Sequence, residues 1–188
     1  MRSFSKFLLA LLTAIGGIII VAAPASASWP PPRELGGLDL GAYCRSVGYA
    51  DTALTGSTAY DWYCVSGSRR EGLGLDAACR WTYGTENAVD RIAVDRIANF
   101  YDPRSVTCWE VQRGTNAPDF ERYCTSKGHS TSRLIGPTSY DYRCVTWNPG
   151  GDIYTDIDVD DVCRESTFGT ATIARFVNFY SASWECRV

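Results

Sequence analysis

The chain has 188 residues, with 18 lysines and arginines against 21 aspartates and glutamates, and a formal net charge of −3 at pH 7. This mildly acidic balance argues against a nucleic-acid binder, which needs a basic face to meet phosphates. It also argues against general attraction to anionic lipid.

The first 27 residues predict a secretory signal peptide. Two basic residues precede an apolar run over residues 7–23, and residues 25–27, Ala-Ser-Ala, fit the small-x-small cleavage pattern. The alternative is an uncleaved anchor helix, but the run is short for a membrane span and two glycines interrupt it. We expect a protein that is secreted, extracellular or cell-wall associated, without membrane contact after cleavage.

All eight cysteines lie after residue 27, and an even number of cysteines in an exported chain predicts a disulfide framework. No two of them are closer than 14 intervening residues, which disfavours zinc sites built from closely spaced pairs. We therefore expect no metal and no cofactor. The cysteines are Cys44, Cys64, Cys79, Cys108, Cys124, Cys144, Cys163 and Cys186.

An internal duplication follows the signal peptide. Residues 39–65 align without a gap to residues 119–145, and 12 of the 27 positions are identical. The later parts also align, since "RIANFY" at 96–101 matches "RFVNFY" at 175–180. The predicted organisation is a Pro/Gly-rich lead-in (28–38), a first repeat unit (39–112), a linker (113–118) and a second repeat unit (119–188).

The elements of the first unit can be predicted in chain order. Asp39 is a good N-cap for a helix that Gly48 ends, and residues 59–65, "AYDWYCV", have the composition and alternation of a strand. A second helix begins at Asp76, and a third is expected from Thr85 with apolar residues of 89–100 facing inward. A final strand carries Cys108. The predicted fold class is α+β, with two tandem disulfide-stapled units that each pack short helices on a small antiparallel sheet.

Four cysteines in a unit allow three pairings, and sequence alone does not choose among them. Pairing within units is expected because each unit has a complete set. The preferred pattern ties a helix to a following strand, as Cys44–Cys64 and Cys79–Cys108, with Cys124–Cys144 and Cys163–Cys186 as the equivalents.

The motif "YDWYC" at 60–64 returns as "YDYRC" at 140–144. On a strand, the two aromatic positions and the cysteine share one face, which is ordinary packing beside a disulfide. Asp61 and Asp141 lie on the other face. They suit either a local turn or backbone hydrogen bond, or a polar contact in a ligand groove.

These motifs, from Tyr-Cys-x3-Gly through Ala-Tyr-x-Trp-x-Cys-Val to Asp-x2-Cys-Arg-x2-Tyr-Gly, resemble a four-cysteine repeat domain of secreted and extracytoplasmic actinobacterial proteins. The similarity covers nearly all of the chain after the signal peptide and is best in the first unit. The second unit departs at Arg143 and Glu165. The resemblance implies this architecture and an extracellular role, and it implies no site residues.

The sequence contains no recognisable catalytic set. His129 is the only histidine and aligns with Tyr49, so a Ser-His-Asp arrangement is disfavoured. The acidic stretch 152–161 begins like a calcium loop, but Asp161 and Thr167 occupy positions where an EF-hand loop needs glycine and glutamate. A solvated acidic loop before a helix is the better interpretation.

The remaining signal is aromatic, because aromatic faces bind sugars and protein partners. Positions that differ between the units are freer to carry function, so we expect ligand contacts at Trp81, Tyr63 and Trp147, with Asp61 and Asp141 as polar candidates. The predicted function is non-catalytic binding of an extracellular glycan, cell-wall polymer or protein. The alternatives are a small carboxylate-dependent hydrolase and a disulfide-rigid inhibitor or effector.

Overall fold

The computed structural model describes residues 30–170 and 172–188, and it has the predicted α+β fold, with four short helices and eleven short strands in antiparallel sheets. The predicted signal peptide lies outside the described residues. The first segment (residues 30–112) contains β1 (Arg33–Gly36), α1 (Leu40–Ser46), β2 (Asp51–Leu54), β3 (Trp62–Ser66), β4 (Arg69–Gly72), α2 (Leu75–Thr82), β5 (Arg91–Ile97) and β6 (Val106–Gln112). The second segment (residues 113–188) contains α3 (Phe120–Ser126), β7 (Thr131–Leu134), β8 (Tyr142–Thr146), β9 (Ile153–Asp156), α4 (Val159–Ser166), β10 (Ile173–Asn178) and β11 (Ser183–Arg187), with 3-10 turns at Ser139–Asp141 and Phe179–Ser181.

The strands form four small sheets with matching orders in the two segments. The orders are β2-β3-β4 and β1-β6-β5 in the first segment, and β7-β8-β9 and β10-β11 in the second. Among the residues that the structure describes, only the first segment has a strand, β1, that pairs with the outer side of its last hairpin, β5–β6. In the second segment a single bridge between Asn116 and Cys186 takes that position.

The helix starts follow from local side-chain capping. The Asp39 carboxylate accepts a hydrogen bond from the N–H of Ala42 at 2.8 Å, and Asp119 accepts one from the N–H of Arg122 at 2.9 Å. Gly48 follows the first of these helices with a φ of +89°, a conformation that glycine adopts without steric cost. These helix predictions are confirmed.

The predicted third helix from Thr85 is wrong, because residues 91–97 form strand β5. Ile92 and Val94 pack on one face of β5, while Ala93 and Asp95 are buried on the other. A strand buried on both faces has no apolar–polar alternation, so its pattern is indistinguishable from that of a buried helix. Pairing with β6 along its full length decides the outcome.

Four disulfides join helices to strands in the preferred pattern. Cys44–Cys64 and Cys79–Cys108 hold α1 to β3 and α2 to β6, and Cys124–Cys144 and Cys163–Cys186 hold α3 to β8 and α4 to β11. All eight cysteines are buried. Within the described residues, no helix has the length and apolar character that a membrane span requires.

The main core lies between the segments. Ile97, Phe100 and Val106 of the first segment pack in one cluster with Phe176 and Phe179 of the second. A cluster that takes side chains from both segments buries apolar area that neither could bury alone. The two segments therefore fold against each other through a shared core.

Candidate functional site at the junction of the two segments

Reciprocal hydrogen bonds connect the segments through the repeated tyrosines of the "YDWYC" and "YDYRC" motifs. The Tyr140 hydroxyl accepts from the N–H of Phe100 at 2.9 Å, and the Tyr60 hydroxyl accepts from the N–H of Phe179 at 3.3 Å. Tyr60 aligns with Tyr140, and Phe100 aligns with Phe179. The motif thus occurs twice because each copy holds a backbone group of the other segment.

The phenylalanines at this junction are stacked, with ring centroids 3.7 Å apart and planes 5° apart. Tyr101 and Tyr180, which also align with each other, each pack edge-on against Phe100 at 5.4 Å. Their outer faces remain open, since Tyr101 is 60 % and Tyr180 is 62 % exposed. We call Tyr101 and Tyr180 the tyrosine pair.

Two corresponding grooves lie at the junction. The first, the polar groove, has a volume of about 320 Å³. The second, the carboxyl groove, has a volume of about 280 Å³. The polar groove is lined by Arg96, Tyr140, Asp156, Asp158, Asp160 and Trp184, among others. The carboxyl groove is lined by Tyr60, Leu75, Asp76, Asp95, Arg175 and Asn178, among others.

An ion pair crosses the junction in each groove. Arg96 donates to the Asp160 carboxylate at 2.6 Å, and Arg175 donates to the Asp76 carboxylate at 3.2 Å. Each aspartate also accepts a backbone N–H from the neighbouring hairpin, at 2.7 Å for Asp160 and 3.0 Å for Asp76. These charged hydrogen bonds fix the orientation of the two segments.

The grooves differ in their buried carboxyl groups. Asp95 in the carboxyl groove aligns with Ala174, and Arg175 donates to Asp95 and to Glu185 at 3.0 Å each. Burial raises the pKa of Asp95 to about 7, and the negative charge of Asp76 acts in the same direction. The pKa of Asp76 itself is lowered: burial opposes the shift, while the positive charge of Arg175 and the hydrogen bonds with Asp95 produce it.

A third groove, of about 350 Å³, lies within the first segment and is lined by Leu38, Leu40, Trp62 and Val106, among others. At the positions of the second segment that align with Leu40 and Trp62, Phe120 stacks on Tyr142 with ring centroids 4.0 Å apart. The apolar lining offers few groups that would orient a polar ligand.

Asp61 and Asp141 lie in equivalent turns. The Asp61 carboxylate accepts hydrogen bonds from the N–H and hydroxyl of Thr58, at 2.8 and 2.7 Å. Asp141 accepts the same pair from Thr138, at 2.8 and 2.6 Å. These bonds lower the pKa of both aspartates. The hydrogen bonds show that both aspartates stabilise a local turn, as one of the two interpretations expected. Their contact with a ligand stays a prediction.

The three aromatic candidates lie apart from the junction grooves. Trp81 is half-buried on α2, edge-on to Tyr43 at 6.1 Å. Tyr63 lies on β3 under the guanidinium of Arg70, 3.6 Å from its ring centroid. Trp147 follows β8 and is 65 % exposed. The structure does not bring the three together.

The remaining polar candidates of the sequence have partners within the chain. His129 Nδ1 lies 2.9 Å from the Thr146 hydroxyl. In the acidic stretch, Asp156 pairs with Arg143, and Asp158 caps α4. In the part of the chain that the structure describes, no three His, Cys, Asp or Glu side chains are grouped to hold a metal ion.

Sequence reasoning missed the tyrosine pair and the buried Asp95. The shared "NFY" at 99–101 and 178–180 was visible, but shared residues were assigned to folding. The contrast between Asp95 and Ala174 was also present in the alignment. The exposure of the tyrosines and the burial of Asp95 are properties of the packed junction.

We compared the chain with protein-family models, with curated proteins and with solved structures, and none of them matches it.

Proposed function

We propose that this chain is a secreted, non-catalytic protein that binds an extracellular glycan or cell-wall polymer across the junction, with Tyr101 and Tyr180 as the stacking faces. The observation that carries the proposal is the tyrosine pair. Both rings are mostly exposed and both lie against the same Phe100 ring. Aromatic rings that are already held in place by a buried neighbour lose little conformational entropy when a ligand stacks on them.

Folding alone does not explain the tyrosine pair. Tyr60 and Tyr140 are needed because their hydroxyls bond across the junction, and Phe100 and Phe179 are buried. Tyr101 packs against Phe100, Phe179 and Tyr140, yet 60 % of its surface stays exposed. A matched and exposed aromatic in both segments therefore supports a binding role.

The neighbouring polar groove supplies groups for sugar hydroxyls. Tyr101 packs against Tyr140, which lines that groove, with ring centroids 6.4 Å apart. The groove also contains Arg96 and Asp156, whose side chains donate and accept hydrogen bonds. An aromatic face beside paired donors and acceptors suits a hydroxyl-rich ligand.

The extracellular assignment rests on two features. Residues 1–27 predict a signal peptide, and the four disulfides are stable in an oxidising compartment. The predicted duplication provides one tyrosine of the pair in each repeat unit, so both units contribute to a single site across the junction.

The test is co-sedimentation of the secreted, oxidised protein with insoluble peptidoglycan, chitin and cellulose. We expect saturable binding to at least one polymer. Tyr101→Ala and Tyr180→Ala are each expected to weaken it by about tenfold, since a stacking contact contributes roughly 1 to 2 kcal/mol.

Two exposed aromatic residues away from the tyrosine pair serve as controls. Phe168→Ala removes a ring that is 90 % exposed, and Trp147→Ala tests the candidate chosen from sequence. If binding is lost in Trp147→Ala and kept in Tyr101→Ala, the site lies at Trp147, next to the end of β8, and not at the tyrosine pair. Failure to bind any polymer would contradict the glycan proposal and direct the search to protein partners.

Carboxylate-dependent hydrolysis is a second candidate, favoured by Asp76 and Asp95. The two groups share Arg175 in one groove, and their pKa values move in opposite directions. An acid and a base held at different pKa values are one of the requirements for glycoside hydrolysis. Polymer cleavage that Asp76→Asn and Asp95→Asn each abolish would support this candidate, and the absence of cleavage by the wild-type protein would reject it.

A further inference from the structure

Two short strands, β4 and β9, are equivalent end strands of their sheets in the two segments. They occupy the last positions in the orders β2-β3-β4 and β7-β8-β9. All residues of β4 (Arg69–Gly72) and β9 (Ile153–Asp156) are exposed. An end strand presents unpaired backbone groups, which form a template for another strand.

The hydrogen-bond alternation shows which residues face outward. The Val65 carbonyl accepts a hydrogen bond from the N–H of Ala50, so the backbone groups of Val65 point toward β2. Backbone groups alternate along a strand, so those of its neighbours Cys64 and Ser66 point toward β4. The partners of those neighbours are Glu71 and Arg69. This leaves the N–H and C=O groups of Arg70 and Gly72 directed away from the sheet.

The same alternation holds in the second segment. The Val145 carbonyl accepts from Ser130 at 2.8 Å, so Cys144 and Thr146 bond to β9 through Thr155 and Ile153. The backbone groups of Tyr154 and Asp156 therefore face outward. Strand β9 contains no proline, lysine or arginine, the residue types that commonly block sheet edges.

The two edges carry opposite charges. Strand β4 has Arg69 and Arg70 beside one glutamate. Asp152 and Asp156, which also pair with Arg133 and Arg143 of their own segment, flank the exposed Ile153 and Tyr154 of the β9 edge. Pairing of β4 with another β4, or of β9 with another β9, would bring like charges together. Pairing of β4 with β9 brings opposite charges together, and opposite-charge cross-strand pairs stabilise a sheet.

We propose that copies of this chain associate head to tail, with β4 of one copy pairing antiparallel to β9 of the next. In the register that matches the outward-facing backbone groups, Arg70 lies opposite Asp156 and Gly72 lies opposite Tyr154. Asp156 pairs with Arg143 at 2.9 Å but its side chain stays 90 % exposed, so it is open to a second cation. Arg70 donates to the Thr55 hydroxyl at 2.8 Å and turns from that contact toward Asp156 on association. A Cβ at Gly72 would meet no atom within 4 Å, so open space exists there for the Tyr154 ring.

The result is a continuous six-stranded sheet across two copies. Because β4 and β9 are different surfaces of one chain, the contact is heterologous and leaves one free edge at each end of the pair. Association therefore continues into rings or open chains, and it depends on ionic strength because the paired charges are close to solvent.

The test is sedimentation velocity of the secreted, oxidised protein from about 5 to about 500 µM, the range in which short interfaces become populated. We expect the sedimentation coefficient of the wild-type protein to rise with concentration at low salt and to fall in high salt. Arg70→Asp and Asp156→Arg are each expected to sediment as monomers.

An equimolar mixture of these two variants provides the specific control. The Arg70→Asp variant keeps a native β9 edge and the Asp156→Arg variant keeps a native β4 edge, so the mixture is expected to associate again. Tyr154→Pro should also abolish association. It removes only the Tyr154 N–H, which faces outward and makes no hydrogen bond inside the sheet. Far-ultraviolet circular dichroism establishes that each variant is folded.

A wild-type protein that stays monomeric over the whole range overturns the proposal. So does association that survives in each single variant, or a mixture of the two that stays monomeric while both are folded.

Discussion

Replacing Asp95 by asparagine measures the cost of a carboxyl group buried at the junction of the two segments. Asp95 is 6 % exposed and aligns with an alanine in the other segment, so the fold does not require an acid at this position. Asparagine has nearly the same shape, and its carbonyl can still accept from Arg175. The substitution therefore removes the titration and little else.

The magnitude follows from the pKa of Asp95, which rises from 3.8 to about 7, chiefly through burial. A raised pKa means that the folded state holds its proton over a pH range in which the unfolded chain has lost it. Stability contributed by this proton is complete below pH 3.8 and is lost as the pH rises through 7. The loss amounts to about 4 kcal/mol, because each pH unit is a tenfold change in an equilibrium constant.

Asp76 opposes this trend at lower pH. Its lowered pKa stabilises the fold above the ordinary aspartate pKa, and that stability is lost on acidification. Because Asp76 and Asp95 hydrogen-bond to each other, the substitution also alters the pKa of Asp76, but the Asp76 effect is confined to the acidic range and leaves the comparison near pH 8 to Asp95. Glu185, Arg175 and Tyr60 also face Asp95, and they are unchanged in the variant.

The assay is urea unfolding of the oxidised protein at about pH 5 and about pH 8. Near pH 5 the wild-type carboxyl is protonated in the folded state but ionised in the unfolded chain, so Asp95→Asn should already be the more stable protein, by about 1 to 2 kcal/mol. Near pH 8 we expect Asp95→Asn to be the more stable protein, by an amount approaching 4 kcal/mol.

A stability difference that is the same at both pH values would refute the reasoning. So would a variant that becomes relatively less stable as the pH rises, because ionised Asp95 would then stabilise the junction through Arg175. Asp61→Asn is a matched control, since the pKa of this exposed-turn aspartate is lowered and its pH response has the opposite sign.

Two further predictions concern the stability of the individual segments. Gly136→Ala is expected to cost about 1 to 3 kcal/mol in urea unfolding, because the new Cβ would lie 2.7 Å from the Asp141 carboxylate, which is tied to its turn. Gly150→Ala, whose nearest atom is at 3.9 Å, should leave stability unchanged, and equal effects would contradict the steric argument. Replacing both Cys79 and Cys108 by alanine opens a loop of 29 residues and should cost about 3 to 4 kcal/mol, seen as a melting temperature lower by roughly 10 °C. A melting temperature that does not change would mean that the packing of α2 on β6 is sufficient without the bond.

The capped helices and the pairing of cysteines within units could be predicted because their signals are local, whereas the choice among the three pairings in a unit came from the structure. The cap at Asp39 acts within three residues, and each cysteine pair spans between 20 and 29 residues of one segment. Strand β5 was not predictable in the same way. Its apolar residues fit a helix equally well, and only pairing with β6 and burial against β10 distinguish the two.

The candidate site was less predictable than the fold. Trp81, Tyr63 and Trp147 were chosen because they differ between the units, but the structure places them in three separate locations. The tyrosine pair is shared by both units, and a shared residue is assigned to packing until its exposure is known. Exposure depends on which neighbours cover a side chain, and those neighbours come from the other segment.

The sequence by itself determined the α+β class and the start of the first helix, and it favoured disulfides within each unit, because propensity, capping and cysteine spacing act over short stretches of chain. The tertiary structure alone decided that the segments share a core, that Tyr101 and Tyr180 remain open and that Asp95 is buried beside Arg175. These features join residues far apart in the chain, such as Tyr60 and Phe179 at a separation of 119. Their energies arise from burial and charge at the packed junction, which no local pattern encodes.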